Sequence, residues 1–344
     1  MNYLFPYTWN NLKGNHAGFP HMCFLLSRKY PKSYTVINEL SISKKKYVHN
    51  VFINRVINYA IRIFNKIKYE SKLNHVLATI KDNDNIFLME YLQHDVNQIE
   101  LAKRIKKRNP NIRIYGLVHL TPSAIESDFT KSEILEWTKY INAYLTLGSS
   151  LTNYLNRIIE NEVPVYTLFH PVDLGYFFPD RVNNHDFSVL TFGNLQRNYE
   201  TLEIIVRKLP QINFIICAGT ANLSHFSKYS NVELYGFLPE KRLRNLLCNS
   251  DVSLNILDDT VGSNVITISM AMGLAIVASD VGSIRDYCTE ENACLCNNLE
   301  DYINAIIKLS NNKSILENMK MKSLLQGKKF SIESLHISLQ AVLE

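Results

Sequence analysis

Long apolar runs are missing from this 344-residue sequence. The longest, such as FIIC (214–217) and AIVA (275–278), fall far short of the roughly 20 residues that a helix needs to span a bilayer. The opening residues, MNYLFPYTWNNLKGN, lack the charged start and apolar block of a secretory signal, so none is expected. Cysteine is sparse: Cys23, Cys217, Cys248, Cys288, Cys294 and Cys296 are scattered without metal-type pairing, and only the last two are close. Reduced thiols of a cytoplasmic protein are the expected state. No acidic pair is spaced as a metal site, and no nucleic-acid-binding motif is present, so neither a metal nor a nucleic acid is expected as a partner. Acidic residues are scarce in the first half. Residues 1–172 carry 22 Lys/Arg against 13 Asp/Glu, a balance of +9, whereas residues 173–344 carry 15 against 19, a balance of −4. A basic half joined to a mildly acidic half suggests that the first half faces something anionic.

What is present is an alternation of short apolar strands with amphipathic helices. The clearest unit is DVSLNILDDTVGSNVITISMAMGLAIVASDVGSIRDY (251–287). VSLNIL (252–257) reads as a buried strand and DDTVGSN (258–264) as a turn, with Ser263 or Asn264 as helix cap. VITISMAM (265–272) supplies the helix, Gly273 stops it, and AIVAS (275–279) is the second strand. Such a βαβ unit sets free backbone N–H groups of Ser263, Asn264 and Val265 at the helix start, where an open α/β sheet holds a phosphate. The competing reading is an α/β domain with no ligand there.

The first half follows the same logic. Strands are predicted at 2–7, 34–40, 84–91, 112–120 and 143–150, with helices at 19–31, 43–70, 97–110 and 151–162, and loop and helix together over 121–142. In the second half, strands are predicted at 185–194, 212–219 and 231–237, and helices at 199–210 and 238–251. The fold class expected is α/β, with two doubly wound, Rossmann-like parallel sheets facing a cleft. The expected domains are 1–170 and 171–325. A final stretch, 326–344, is expected to form a helix packing back toward the first domain.

Several residues are candidates for chemistry. His119 closes a strand beside a Thr-Pro turn facing the expected cleft, a place for a general base or merely for a satisfied polar side chain. His16 and His94 are weaker candidates. The loop WNNLKGNHAG, with Asn15, His16 and Gly18, feeds a helix and lets a ligand approach the backbone, although no G-x-G-x-x-G is present. Arg197, just past the Gly193 turn, is placed to meet a phosphate or to stand in solvent. Between Lys44 and Lys68 there are seven Lys/Arg and no acid, with apolar residues at helical spacing; KRIKKR (103–108) adds a second basic run. Such a helix suits an anionic membrane surface, or a helix packed on the sheet with a solvated basic face.

Taken in order, several motifs resemble the GT-B glycosyltransferases, most closely those of the family-four type. HPVDLGYFFPD (170–180) resembles a hinge motif, N-G-V-D followed by F-x-P. TFGNLQRNYETLEII (191–205) is similar to the strand and turn that open the nucleotide domain. VELYGFLPEKRLRNLLCNSDVSLNIL (232–257) and SNVITISMAMGLAIVASDVGSIRDY (263–287) resemble the family's later patterns. The resemblance implies a nucleoside-diphosphate sugar, with UDP or GDP as the expected nucleotide. The donor set expected is Gly193, Asn194, Arg197, Asn255, Asp259, Gly262, Ser263, Asn264 and Val265. The acceptor, a glycan or lipid-linked glycan, is expected near Asn15, His16, Gly18 and His119, without a metal. Bacterial surface-polysaccharide synthesis at the inner face of the membrane is the implied setting. Two departures stand out. The family's two glutamates would fall at Thr260 and Ile268, and its arginine after the glycine turn is Asn194. Ile268 cannot accept a hydrogen bond from a ribose. A catalytically degenerate sugar-nucleotide-binding or scaffold protein stays open as the alternative. A sugar-nucleotide epimerase would need a cleft carboxylate pair that the sequence does not place.

Overall fold

The computed structural model describes residues 1–7, 14–37, 51–93, 96–180 and 186–344. The first sheet contains β1 (Asn2–Phe5), β2 (Tyr34–Val36), β3 (Asn85–Leu88), β4 (Arg113–Leu117), β5 (Ala143–Thr146) and β6 (Val165–Thr167). All its pairings are parallel, in the order β2-β1-β3-β4-β5-β6. Both faces of a parallel sheet are covered by crossover helices, and accordingly every residue of β3 and β5 is buried. The crossovers are α1 (Phe19–Lys29), α2 (Val51–Thr79), α3 (Gln98–Arg108), α4 (Pro122–Asp128), α5 (Lys131–Thr138) and α6 (Ser149–Ile158). The 121–142 stretch, expected to hold loop and helix, forms two helices because Thr121 and Thr130 each start one. Thr121 Oγ1 accepts the Ala124 N–H, and Thr130 forms a reciprocal capping box with Glu133.

The second sheet is built from β7 (Ser188–Phe192), β8 (Asn213–Cys217), β9 (Val232–Tyr235), β10 (Val252–Asn255), β11 (Ala275–Ser279) and β12 (Ala293–Cys296). It is again wholly parallel, in the order β12-β11-β10-β7-β8-β9. Its helices are α7 (Tyr199–Lys208), α8 (Glu240–Cys248), α9 (Asn264–Ala271), α10 (Ile284–Tyr287), α11 (Leu299–Asn311) and α12 (Lys313–Gly327), and α13 (Ile332–Ala341) follows them in the chain. Two doubly wound parallel sheets are therefore present, as expected from the alternation. Strand order reverses between β1 and β3 in one sheet and between β7 and β10 in the other, and these switch points open crevices at the carboxyl ends of the strands.

Three differences from the sequence expectation bear on the site. The strand predicted over 112–120 stops at Leu117, so His119 stands on the loop beyond it. The strand predicted over 34–40 ends at Val36, and residues 38–50, with the first part of the predicted 43–70 helix, lie outside the described residues. That helix runs on to Thr79, where Leu73 and Val76 reach the core.

The two halves meet along a close seam. The Tyr287 hydroxyl donates to Leu147 O and accepts the His170 N–H at 2.8 Å. Ser149 bonds Asp286 through its N–H and hydroxyl, and Ser150 bonds the Ser283 hydroxyl. Val261, from the second half, is buried in the first half's core. A Cβ on Gly148 would fall 2.4 Å from Ser283 Cβ, so only glycine admits this approach. The chain then returns: Leu335 and Leu339 of α13 are buried with Phe19, Met22 and Leu26 of α1.

Candidate functional site

The second sheet's switch point is filled by Arg197. Gly193 follows β7 with φ +81°, and a Cβ there would meet Val265 Cγ2 at 2.9 Å and Arg197 Nη2 at 3.4 Å. The chain leaves that turn and comes back to the sheet edge, where Asn198 N–H bonds Ile256 O and Asp258 N–H bonds Gln196 O. This return sends the Arg197 guanidinium between the ends of β7 and β10. Nη2 donates to Phe192 O at 2.8 Å and Nη1 to Asn255 Oδ1 at 3.0 Å. Asn255 is fully buried, held by Ser253 O and Ser253 Oγ, and Ser269 of α9 donates to that same hydroxyl. Asn255 thus supports the arginine rather than facing the cleft.

The charge of Arg197 is the unusual feature. Burial depresses its pKa to about 10, with Tyr199 acting weakly the other way, so it remains a cation at neutral pH. Its Nε is buried without a hydrogen-bond partner. Among the described residues its partners are a carbonyl and an amide, with no acidic side chain. A desolvated cation is costly unless paired, and the partners in this crevice are all neutral.

Beside it stands the start of α9. Ser263 caps this helix: its Oγ accepts the Val265 N–H at 3.2 Å, and its carbonyl accepts from Ile266 and Thr267. Of the three N–H groups expected to be free, that of Val265 is therefore consumed by the cap; no bond joins the Asn264 N–H to any described residue. Asp259 folds back on the Thr260 N–H at 2.7 Å. Gly262, with φ +114°, is pressed against the seam, where a Cβ would fall 2.3 Å from Tyr287 Oη and 2.6 Å from Leu147 O. These two shape the turn and the domain contact. Asn194 is exposed and donates to Thr220 Oγ1 at 2.8 Å, tying the loops that follow β7 and β8. Thr260 and Ile268 are both buried, so no carboxylate occupies the positions of the family's glutamates.

Across the cleft, His119 is half-buried. Its Nε2 lies 2.8 Å from Met89 O and 3.8 Å from Glu90 Oε1, and Phe19 meets its ring edge-on at 5.0 Å. Donation from Nε2 to the carbonyl leaves Nδ1 as the basic nitrogen, a tautomer assigned from the bonding pattern. Glu90, 8% exposed, was not among the sequence candidates. Only the strand order makes it a neighbour of His119, by setting β3 beside β4. Gln98 fills the first sheet's switch point, donating to Phe5 O and accepting the Glu90 N–H, both at 2.8 Å. Gln196 Nε2 reaches Thr121 Oγ1 at 3.3 Å, so the loop carrying Arg197 faces the loop carrying His119.

The glycine loop differs from expectation. His16 and Ala17 N–H both donate to the Glu240 carboxylate, at 2.8 and 2.9 Å, and His16 Nδ1 lies 2.9 Å from it. Its ring stacks on Tyr176 at 3.6 Å. His16 therefore bridges to the second half instead of facing the cleft; half-buried Asn15 and Gly18, with φ +96°, flank that bridge. His94 lies outside the described residues. On α2, Ile53, Val56, Tyr59, Ile63, Phe64 and Ile67 are all exposed, beside exposed Arg55, Arg62, Lys66 and Lys68. The 103–108 run is partly spoken for: Arg104 pairs with Glu70 and Glu100, and Lys106 caps Pro110 O and Ile112 O, leaving Lys107 and Arg108 exposed. Among the described residues no helix is long and apolar enough to cross a membrane.

Comparison with known proteins bears on the fold. Residues 186–312 match the family model described as glycosyl transferases group 1. No curated protein matches the chain in sequence. Among solved structures, sucrose-phosphate synthase from Thermosynechococcus elongatus superposes with a TM-score of 0.72 at 11% identity, covering 99% of this chain and 98% of that one. Anabaena HepE in complex with UDP and glucose gives 0.68 at 12% identity, covering 100% and 99%. The pneumococcal O-GlcNAc transferase GtfA, in complex with UDP and GlcNAc, gives 0.61 at 14% identity, covering 79% of this chain and 58% of that one. Residues 186–312 therefore match a group 1 glycosyltransferase domain, and the chain as a whole has the GT-B fold of these solved structures.

Proposed function

We propose that the protein transfers a sugar from a UDP-sugar to a glycan or lipid-linked glycan, in bacterial surface-polysaccharide synthesis and without a catalytic metal. The observation that carries this reading is the half-buried Arg197 at the second switch point, beside the α9 N-terminus, with its Nε buried and unpartnered and no acid among its partners. UDP is favoured over GDP because solved relatives of the same fold, HepE and GtfA, hold UDP. In transfer, the bond from the anomeric carbon to the diphosphate oxygen breaks as an acceptor hydroxyl bonds that carbon. Charge gathers on the leaving diphosphate, where the Arg197 cation, the Asn264 N–H and the helix dipole stabilise it. For attack from the opposite face, His119 Nδ1 takes the acceptor proton, and Glu90 steadies the imidazolium. For same-face transfer, the leaving phosphate oxygen takes that proton and His119 holds the sugar.

The exposed apolar and basic residues of α2 support docking of the first domain on an anionic membrane surface, where a lipid-linked acceptor would be presented. Buried Thr260 and Ile268 favour a second reading, a sugar-nucleotide-binding protein without turnover. A thermal-shift panel of UDP, GDP, CDP, ADP and dTDP tests the donor site. Selective stabilisation by UDP is expected, and no shift with any nucleotide would remove the diphosphate site. Stabilisation by UDP with neither transfer nor hydrolysis of UDP-sugars would establish the second reading.

A further inference from the structure

We propose that His16, His21 and Asp173 form a site for one divalent transition-metal ion of the zinc class, at the hinge between the two domains. The three residues come from the glycine loop, the first turn of α1 and the segment after β6, up to 157 positions apart in the chain. Each offers one ligand atom, and these atoms lie within 4.8 Å of one another. Bonds of 2.0–2.1 Å to a tetrahedral ion put ligand atoms about 3.4 Å apart, so side-chain rotations of about an ångström close the set. His21 Nε2 and Asp173 Oδ2 are already 2.8 Å apart.

The surroundings orient these ligands. The Glu240 carboxylate takes His16 Nδ1, at 2.9 Å, which leaves Nε2 with its lone pair. Tyr176 stacks within 1° of parallel on the same ring and fixes its plane. The Gly175 N–H donates to Asp173 Oδ1 at 3.0 Å, leaving Oδ2 toward the histidines. Two imidazoles and one carboxylate suit zinc, cobalt or nickel better than magnesium or calcium, which prefer all-oxygen shells. Neither Arg197 nor His119 belongs to the site, and it does not rest on the glycosyl-transfer reading. Its effect is to join α1 to the hinge, with Glu240 extending the link to α8.

The test uses tag-free, full-length protein stripped with chelator, then titrated calorimetrically with Zn²⁺ and, separately, Mg²⁺. One equivalent of Zn²⁺ should bind and raise the melting temperature, with no response to Mg²⁺. His21→Ala and Asp173→Asn should abolish binding while melting cooperatively as apo proteins. Glu240→Gln should weaken it by roughly 10- to 100-fold, the effect of losing an outer partner of a ligating histidine. Because the chain also holds free cysteines, Co²⁺ loading provides an independent readout. A visible spectrum without a thiolate charge-transfer band is expected. Absence of stoichiometric Zn²⁺ binding, binding untouched by both His21→Ala and Asp173→Asn, or a thiolate band would each overturn the site.

Discussion

Replacing Arg197 with methionine separates what this residue contributes to the fold from what it contributes to ligand binding. In the free protein the substitution deletes hydrogen bonds to Phe192 O and Asn255 Oδ1, leaving the buried amide oxygen short of a donor, which costs about 1–3 kcal/mol. It also removes a buried charge with no counter-ion, a gain of similar size, and methionine fills much of the same volume. The two effects offset each other, so the free variant should melt within a few degrees of the parent. Binding is different, because a diphosphate loses a charged hydrogen-bond donor worth about 1.5–3 kcal/mol, or roughly 10- to 150-fold in affinity. At a UDP concentration of about 100 times the parent's Kd, ligand stabilises the parent by about 2.7 kcal/mol. For a domain of this size that is a rise of roughly 5–10 °C. A 100-fold weaker variant at the same concentration gains only about 0.4 kcal/mol, a rise of roughly 1–2 °C. Differential scanning fluorimetry with and without UDP measures both quantities. A full UDP shift retained in Arg197→Met would refute the assignment of this crevice to the diphosphate.

His119→Ala should lower the rate of sugar transfer by roughly 100-fold or more while leaving the UDP-induced melting shift in place, read by steady-state kinetics beside fluorimetry. Tyr287→Phe loses its donation to Leu147 O and its hold on the His170 N–H, and should cost about 1–3 kcal/mol by urea denaturation. His170 is held neutral by burial, with His119 nearby as the lesser cause, and its folded pKa of about 4 lies below the ordinary value of 6.5. The folded state therefore binds fewer protons, so its contribution is intact above pH 6.5 and is lost as pH falls toward 4. The slope of stability against pH in that window should flatten in His170→Gln. Phe64→Asp with Ile67→Asp should reduce sedimentation with anionic vesicles, and the parent's binding should weaken with added salt.

The layered fold was readable because parallel strands announce themselves as short, continuously apolar runs such as AIVAS, and because glycines and threonine caps punctuate the helices. β12, with α11 and α12 behind it, was not read, since ACLC carries little strand character and sits after an unremarkable turn. At the site, the glycine turn and the return to Arg197 are local and were legible. What the residues touch was not. The burial of Arg197 depends on β7 and β10 being adjacent, although some 60 residues separate them in the chain. The neighbourhood of Glu90 and His119 likewise depends on strand order, and the capture of His16 by Glu240 depends on how the two halves seat. Solvent and a carboxylate are equally good partners for a histidine in a linear string, and only tertiary placement chooses between them.

The chain passes between the halves twice, once near Val172 and again near Phe330, and the Val172 N–H bonds the Phe330 carbonyl at 2.8 Å. Two laced crossings behave as a door hinge rather than a rope. Two such crossings would permit a swing about a common axis and oppose twist, so that any opening and closing would return the same pair of loops to the same register. Cutting or lengthening either crossing would free that twist, and the two faces would then have to find each other by diffusion on every turnover.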